Sequence, residues 1–211
     1  MMNKYRNRIA KLSTQTVTAC PKAQSLIYLA LADSLGPLFG DFCHTYDLKT
    51  SRKKFDGAIV DLWNWWFDSV SVGAVQFDAL PYLETLENIA PSLEQYTDRK
   101  ACYAQDACIL AHMAFASMNL LAKDGPAIHY FFEPFEEVLL HESGEMKIMP
   151  DETWEDRVLL QDPRVKRGFK FVEYCIITAS RIPFQGGLSK ISDFRQHVAE
   201  GRLSVAQLRR S

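Results

Sequence analysis

The sequence predicts an all-α fold, namely a single-domain helical bundle of about seven to nine helices with a C-terminal helical appendage. Apolar residues recur at three- and four-residue steps along most of the chain, which is the period of an α-helix. No run of alternating apolar and polar residues is long enough to propose a strand. The breaks between the apolar runs coincide with Gly and Pro, the residues that most often end helices.

The clearest predicted helix spans 51–70. Aromatic and aliphatic residues recur there at three- and four-residue steps, with acidic and amide residues between them, and Ser51 is the predicted N-cap. Upstream, a helix is predicted over 18–35, with Pro21 near its first turn. The Gly36-Pro37 pair is predicted to end that helix and to separate it from a short third helix.

Five further helical segments are predicted downstream. Asp78 is the predicted cap of the first, which Pro91 stops. The others are predicted over 98–123, after Gly125 with a kink at Pro134, over 151–161 and over 163–181, with a loop at 142–150.

The strongest break in the chain is the PFQGG segment at 183–187. It divides the sequence into an all-α domain over 1–182 and a linker with a C-terminal helical appendage over 183–211. The appendage has a helically spaced apolar stripe that has to be buried, either on its own bundle or on a second chain.

Three stretches resemble a known family. They are ALADSLGPLFGDFC at 30–43 followed by FDGAIVDLWNWW at 55–66, the IAP step at 89–91 followed by QDAC at 105–108, and DPRV at 162–165 followed by two phenylalanines. Together they resemble the YjaG-like family, small bacterial proteins with a domain of unknown function. The resemblance spans roughly residues 5–182 and implies an all-α fold in the bacterial cytoplasm, without an established activity.

Composition and charge exclude several classes of protein. The formal net charge is −2, whereas general nucleic-acid binders usually have a basic excess. The five cysteines form no C-x-x-C pair, so we expect reduced thiols and no zinc knuckle. No signal peptide or membrane span is expected, and the predicted location is the cytoplasm.

No motif indicates a particular enzyme or cofactor. The sequence contains no G-x-S-x-G elbow, P-loop or G-x-G-x-x-G turn. We therefore expect no cofactor and lean against catalysis. One alternative is a metal-binding or enzymatic bundle, because Glu133, Glu137 and His141 stand four residues apart on one helical face. Asp106 and His112 could join such a site, although their six-residue spacing directs them apart and favours a structural role for Asp106.

The segment 133–156 is strongly acidic, with nine Asp and Glu residues and a single lysine. Such a segment is either a solvated face or a docking surface for a basic partner. The residues that the second interpretation assigns to partner binding are Glu142, Glu145, Asp151, Glu152, Glu155 and Asp156.

The sequence therefore favours a non-catalytic protein-interaction module. Its sharpest form is an immunity-type protein that neutralises a basic toxin or effector. No membrane partner is expected, homo-oligomerisation is left open, and nucleic acid is disfavoured as a partner. The basic residues that could contact nucleic acid are short clusters typical of solvated helix ends: Lys49, Arg52, Lys53, Lys54, Arg202, Arg209 and Arg210.

Overall fold

The computed structural model describes residues 3–73, 76–118, 127–144, 154–183, 186–203 and 205–208. Within these ranges it contains nine α-helices, one π-helical turn and no strand, so the all-α prediction is confirmed. The helices are α1 (Lys4–Val17), α2 (Pro21–Thr45), α3 (Lys49–Val72), α4 (Leu80–Ile89), α5 (Arg99–Met118), α6 (Ile128–Glu142), α7 (Pro163–Ala179), α8 (Leu188–Glu200) and α9 (Val205–Leu208), and the π-helical turn is Glu155–Leu159.

Helix α2 lies at the centre of the bundle. It contacts α1, α3, α5, α6, α7, α8 and α9, and its most extensive partner is α5. Seventeen of its 25 residues are buried, so it is apolar on nearly every side. Helix α5 suits this close packing because it carries fully buried alanines, and the distance between two helices depends on the side chains at their contact. These alanines are Ala101, Ala104, Ala107, Ala111 and Ala114.

The predicted helix end at Gly36-Pro37 is wrong, because α2 continues through Pro37 to Thr45. An internal proline removes one helical hydrogen bond and costs about 3 kcal/mol. Leu35 and Leu38, on the two sides of Pro37, are buried. Burial of each such side chain contributes about 1.5–3 kcal/mol to the stability of the fold. The burial of the continued helix therefore outweighs the cost. The Gly36 carbonyl also accepts a hydrogen bond from Arg52 Nη1 at 2.7 Å.

Within the residues that the structure describes, α2 is the one helix long and apolar enough to cross a membrane. Its most apolar window is 83% buried inside the fold. A core helix of a soluble protein has these same properties, so the helix is compatible with a soluble protein.

Some helix ends follow the sequence, and others do not. Asp162 caps α7 by accepting a hydrogen bond from the Arg164 N–H at 2.7 Å. The N-cap of α4 is Ala79, one residue after the predicted Asp78, which accepts a hydrogen bond from the Leu80 N–H at 3.2 Å. Helix α3 matches the predicted helix at 51–70, but its N-cap is Leu48, three residues before the predicted cap, and the Leu48 side chain makes no capping hydrogen bond. Ser51 is therefore inside the helix rather than at its cap.

The sequence interpretation missed α1. Tyr5, Ile9 and Leu12 are buried at four- and three-residue steps and hold this helix against the bundle. Asn3 is its N-cap and accepts a hydrogen bond from the Arg6 N–H at 2.8 Å. The many charged residues between the apolar ones hid this short amphipathic pattern.

The C-terminal segment predicted as an appendage packs on its own bundle. Ile191, Phe194 and Val198 of α8 are fully buried, and α8 contacts α2 and α3. Beyond α8, Arg202 pairs with the buried Asp33 of α2 at 2.8 Å. Asp33 also accepts a hydrogen bond from Trp63 Nε1 at 3.1 Å, so one carboxylate links α2, α3 and the C-terminal segment.

We predict that replacing Phe194 by alanine destabilises the whole chain. The Phe194 ring lies 6.1 Å from that of Trp63 and is fully buried, so F194A should cost about 3–5 kcal/mol in the free energy of unfolding. Urea unfolding followed by tryptophan fluorescence measures this loss.

The control is Leu188→Ala, at a position that is 49% exposed on the same helix, with an expected loss of at most about 0.5 kcal/mol. A loss below about 1 kcal/mol for F194A, or a separate early transition, would show that α8 is not part of the cooperative core.

Candidate functional site

A cleft with a volume of about 600 Å³ lies between α4, α5 and the start of α6. We call it the α4–α6 cleft. Helix α5 contributes four residues at one- and four-residue spacing, which lie on one face of an α-helix. The lining residues are Leu86, Glu87, Ala90, Cys108, Ile109, His112, Met113, Ala127, His129 and Tyr130.

The walls of the cleft are mainly apolar. Leu86, Cys108 and Ala127 are almost completely buried at its base, while Ile109 and Ala90 are partly exposed towards its opening. A cavity of this size with apolar walls and a few polar groups is typical of a site for a small organic molecule.

Two imidazoles and one carboxylate supply most of the polar groups. His112 Nε2 lies 3.2 Å from Glu87 Oε1, which pairs α5 with α4 across the cleft. The ring of His129 stacks at a tilt on Tyr130, with 3.9 Å between the ring centroids. The Glu87 side chain is 70% exposed, so its carboxylate stands at the rim rather than at the base.

The thiols near this site are not activated. Burial raises the pKa of the Cys108 thiol well above its usual range. Burial likewise raises the pKa of Cys43 and of Cys102 to about 11, and nearby carboxylates add to the effect at Cys102. Because the thiolate is the nucleophile, these groups are poor candidates for cysteine catalysis at neutral pH.

Beside the cleft, a cluster of carboxylates lies between α5 and α6. Asp106 is only 3% exposed, and its Oδ2 atom has no hydrogen-bond partner among the described residues. Burial, together with Glu133 and Glu137 beside it, raises the pKa of Asp106 to about 9. Asp106 is therefore protonated at neutral pH and hydrogen-bonds to Glu133, which links α5 to α6 as the predicted structural aspartate would.

A second buried network joins α1 to α6. Tyr5 donates its hydroxyl proton to Glu136 at 2.8 Å, and Arg6 bridges Glu136 at 3.1 Å and Glu155 at 2.6 Å. Burial raises the pKa of the Glu136 carboxyl, although Arg6 opposes that shift. This network gives the carboxylates of Glu136 and Glu155 hydrogen-bond partners inside the fold. The single positive charge of Arg6 balances only one of these two negative charges.

Of the three predicted metal ligands, Glu133 and Glu137 both lie beside Asp106. Glu133 lies 3.8 Å from His129, and Glu137 faces Cys102 and Arg99. His141 instead lines a separate hollow with Arg99 and Lys100, whose positive charges oppose a cation. The described part of the chain contains no group of three or more His, Cys, Asp or Glu placed to hold a metal ion.

Three of the predicted acidic docking residues lie in the described ranges, and all three bind groups of the same chain. Glu142 forms a two-pronged ion pair with Arg164, at 3.0 and 2.7 Å. Glu155 is 7% exposed and pairs with Arg6, and Asp156 accepts hydrogen bonds from the N–H groups that begin α1. The other three assigned residues, Glu145, Asp151 and Glu152, lie outside the described ranges.

A larger hollow of about 880 Å³ lies along α2 and α3, but it is a weaker candidate. Charged residues line much of it, and Asp47 and Lys49 form an ion pair there with 81% and 88% of their side chains exposed. It is therefore a solvated groove, in which an apolar ligand would displace well-hydrated charges at a cost.

The fold and the site together define an all-α protein with a cleft of small-molecule size, and the described residues assemble neither a metal-binding group nor an activated cysteine. A solved structure of a DUF416 family protein from Shewanella baltica OS155 has a similar fold, with a TM-score of 0.63 and 12% sequence identity. The match covers 90% of this chain and 94% of that one. No protein-family model and no curated protein matches the sequence.

Sequence reasoning singled out one residue of the α4–α6 cleft, His112, and it correctly directed that side chain away from Asp106. It missed Glu87 and His129. Glu87 lies within an ordinary amphipathic helix, and His129 belongs to no recognisable motif. The one available signal was helical spacing in α5, where Cys108, Ile109, His112 and Met113 share a face.

We predict that Asp106→Asn makes the stability of the protein less sensitive to a rise in pH between about pH 5 and pH 8. An unfolded aspartate has a pKa of about 3.9, whereas that of Asp106 is about 9, so folding takes up a proton between these values. The stability contributed by the neutral carboxyl is fully present below about pH 4 and is lost as the pH rises through about 9. The advantage of D106N over the wild type should therefore grow by up to about 1 kcal/mol per pH unit from about pH 5 to pH 8.

Urea unfolding at a series of pH values measures this difference. The control is Asp68→Asn, on the exposed side of α3. Parallel stability curves for D106N and the wild type over that range would contradict the protonated state of Asp106.

Proposed function

We propose that this chain is a non-catalytic binding protein whose α4–α6 cleft takes up a small, mostly apolar molecule. The observation that carries the proposal is the cleft itself, which has about 600 Å³ of space, apolar walls and a few polar groups at its rim. Ligand sites in proteins usually have volumes of roughly 300–1,000 Å³ and this composition.

The chemistry of the lining supports binding rather than catalysis. Cys108 is the strongest nucleophile in the lining, and burial keeps its thiol protonated. The Glu87–His112 pair stands at the rim, and the lining residues that the structure describes include no serine or threonine hydroxyl for the imidazole to activate. These groups are suited to orient a ligand through hydrogen bonds.

We predict that Ile109→Trp weakens the binding of a neutral apolar fluorescent probe such as Nile red. Ile109 is a partly exposed wall residue, so an indole at this position fills space in the cleft without entering the packed core. We expect the affinity of the wild type for the probe to fall at least about tenfold in I109W, which corresponds to about 1.4 kcal/mol.

The matched control is Ile177→Trp, which makes the same substitution at a position that is 51% exposed on α7. Its probe affinity should equal that of the wild type. Equal loss in both variants, or no loss in I109W, would refute binding in the cleft. Urea unfolding of each variant verifies that both remain folded.

A second candidate is the interaction with a basic protein partner, including an immunity-type role against a toxin or effector. It is supported by the acidic segment 133–156, but Glu142, Glu155 and Asp156 already bind groups of the same chain. The docking role therefore rests mainly on Glu145, Asp151 and Glu152, and we rank it second.

The variant that tests this candidate changes Glu145, Asp151 and Glu152 to lysine and leaves the internal ion pairs intact. A stoichiometric partner that co-purifies with the tagged wild-type chain and is lost from this variant would establish the interaction. A partner that is retained equally by both chains would contradict the acidic docking surface.

The similarity to a DUF416 family protein supports a place among all-α families of unknown function. We propose on this basis, and on the three sequence stretches, that the chain is related to the YjaG-like family. We also propose that it acts in the bacterial cytoplasm, which is compatible with the burial of its most apolar helix.

A further inference from the structure

We infer that the ligand of the α4–α6 cleft is a hydrophobic amine, an apolar body that carries one ammonium group, and that Glu87 binds the ammonium. This inference rests on the proposed function, because it specifies the chemical class of the ligand for that cleft. It is drawn from the charges and geometry of the lining.

The charge of the lining selects a cation. Glu87 is a carboxylate, and none of the described lining residues is Lys or Arg. An anionic ligand would therefore bring its charge towards a carboxylate without a fixed cation to receive it. A cationic ligand would form a charge-assisted hydrogen bond, which is about twice as strong as a neutral one.

Glu87 has the geometry to receive an ammonium group. Its Oε1 atom contacts His112 Nε2 at 3.2 Å, which holds the side chain against the cleft. A carboxylate offers roughly four acceptor positions, so this one contact leaves most of them available. The side chain is 70% exposed, so the ligand charge can stay hydrated at the rim while the apolar body enters.

A second carboxylate strengthens the negative field behind the cleft. Glu133 stands one helical turn after His129, with 3.8 Å between Glu133 Oε1 and His129 Nε2. The N-terminus of α6 weakens this negative field. Its helix dipole is equivalent to about half a positive charge, and the effect of the dipole falls off within the first turn. A full carboxylate charge at the rim exceeds that half charge, so the field favours a cation.

The remaining walls suit the apolar body of such a molecule. Ile109 and Met113 follow each other along one face of α5, and the stacked rings of His129 and Tyr130 lie opposite on α6. Aromatic faces attract cations as well as apolar groups, so they add to the preference for an amine.

The experiment uses three probes that share one naphthalene ring: naphthylmethylamine, naphthylmethanol and naphthoate. Isothermal titration of the full chain gives the affinity of each. We expect the amine to bind at least about tenfold more tightly than the carboxylate, with the alcohol between them, because the amine meets an opposite charge at Glu87 and the carboxylate meets a like charge.

The variant Glu87→Gln removes the charge and keeps the shape of the side chain. Its amine affinity should fall to that of the alcohol, while its alcohol affinity stays at the wild-type value. The control is Glu84→Gln, one turn earlier on α4 and exposed outside the lining, which should retain the preference for the amine.

The outcomes separate this inference from the proposed function. If the alcohol and the carboxylate bind as well as or better than the amine, the amine class is wrong while the cleft remains a binding site. If none of the three probes or the apolar dyes binds, the proposed function itself fails. An amine preference that survives in E87Q would overturn the assignment of Glu87.

Discussion

Burial of α2 is the constraint on which the other elements depend. The apolar surface of this helix is removed from water only when neighbouring helices cover it on nearly every side. Helices α3, α5, α7 and α8 supply that cover. The helix carries one buried carboxylate, Asp33, and a buried charge has to be paired. Trp63 and Arg202 meet this requirement, so the polar exception in the central helix also attaches the C-terminal segment to the bundle.

Helix α5 connects this core to the candidate site. Its alanines are buried in the bundle, Asp106 faces the carboxylates of α6, and Ile109 and His112 face the α4–α6 cleft. The alanines and the cleft residues fall on different faces of one helix, as the period of 3.6 residues requires. The rigid packing of α5 against α2 therefore fixes one wall of the cleft, and a site built on a rigid helix holds its groups more accurately than one built on loops.

The sequence allowed prediction of the fold class and most helices, because helical spacing and caps such as Asp162 are local signals. It did not reveal the passage of α2 through Pro37, since tertiary burial on both sides of the proline overrode a local rule. The candidate site was harder to predict. Glu87 and His129 come to line one cleft only when α4, α5 and α6 pack together. The acidic segment that stood out in the sequence has a different use, because its Glu142 and Glu155 pair with arginines of the same chain.

We propose that the α4–α6 cleft binds a hydrophobic amine, and a crystal structure of the chain soaked with naphthylmethylamine is the most direct test. We expect the naphthalene ring to lie between Ile109 and Tyr130, with the ammonium nitrogen about 3 Å from a carboxylate oxygen of Glu87. A cleft without bound amine at a saturating concentration, or an amine whose nitrogen points away from Glu87, would refute amine binding through Glu87.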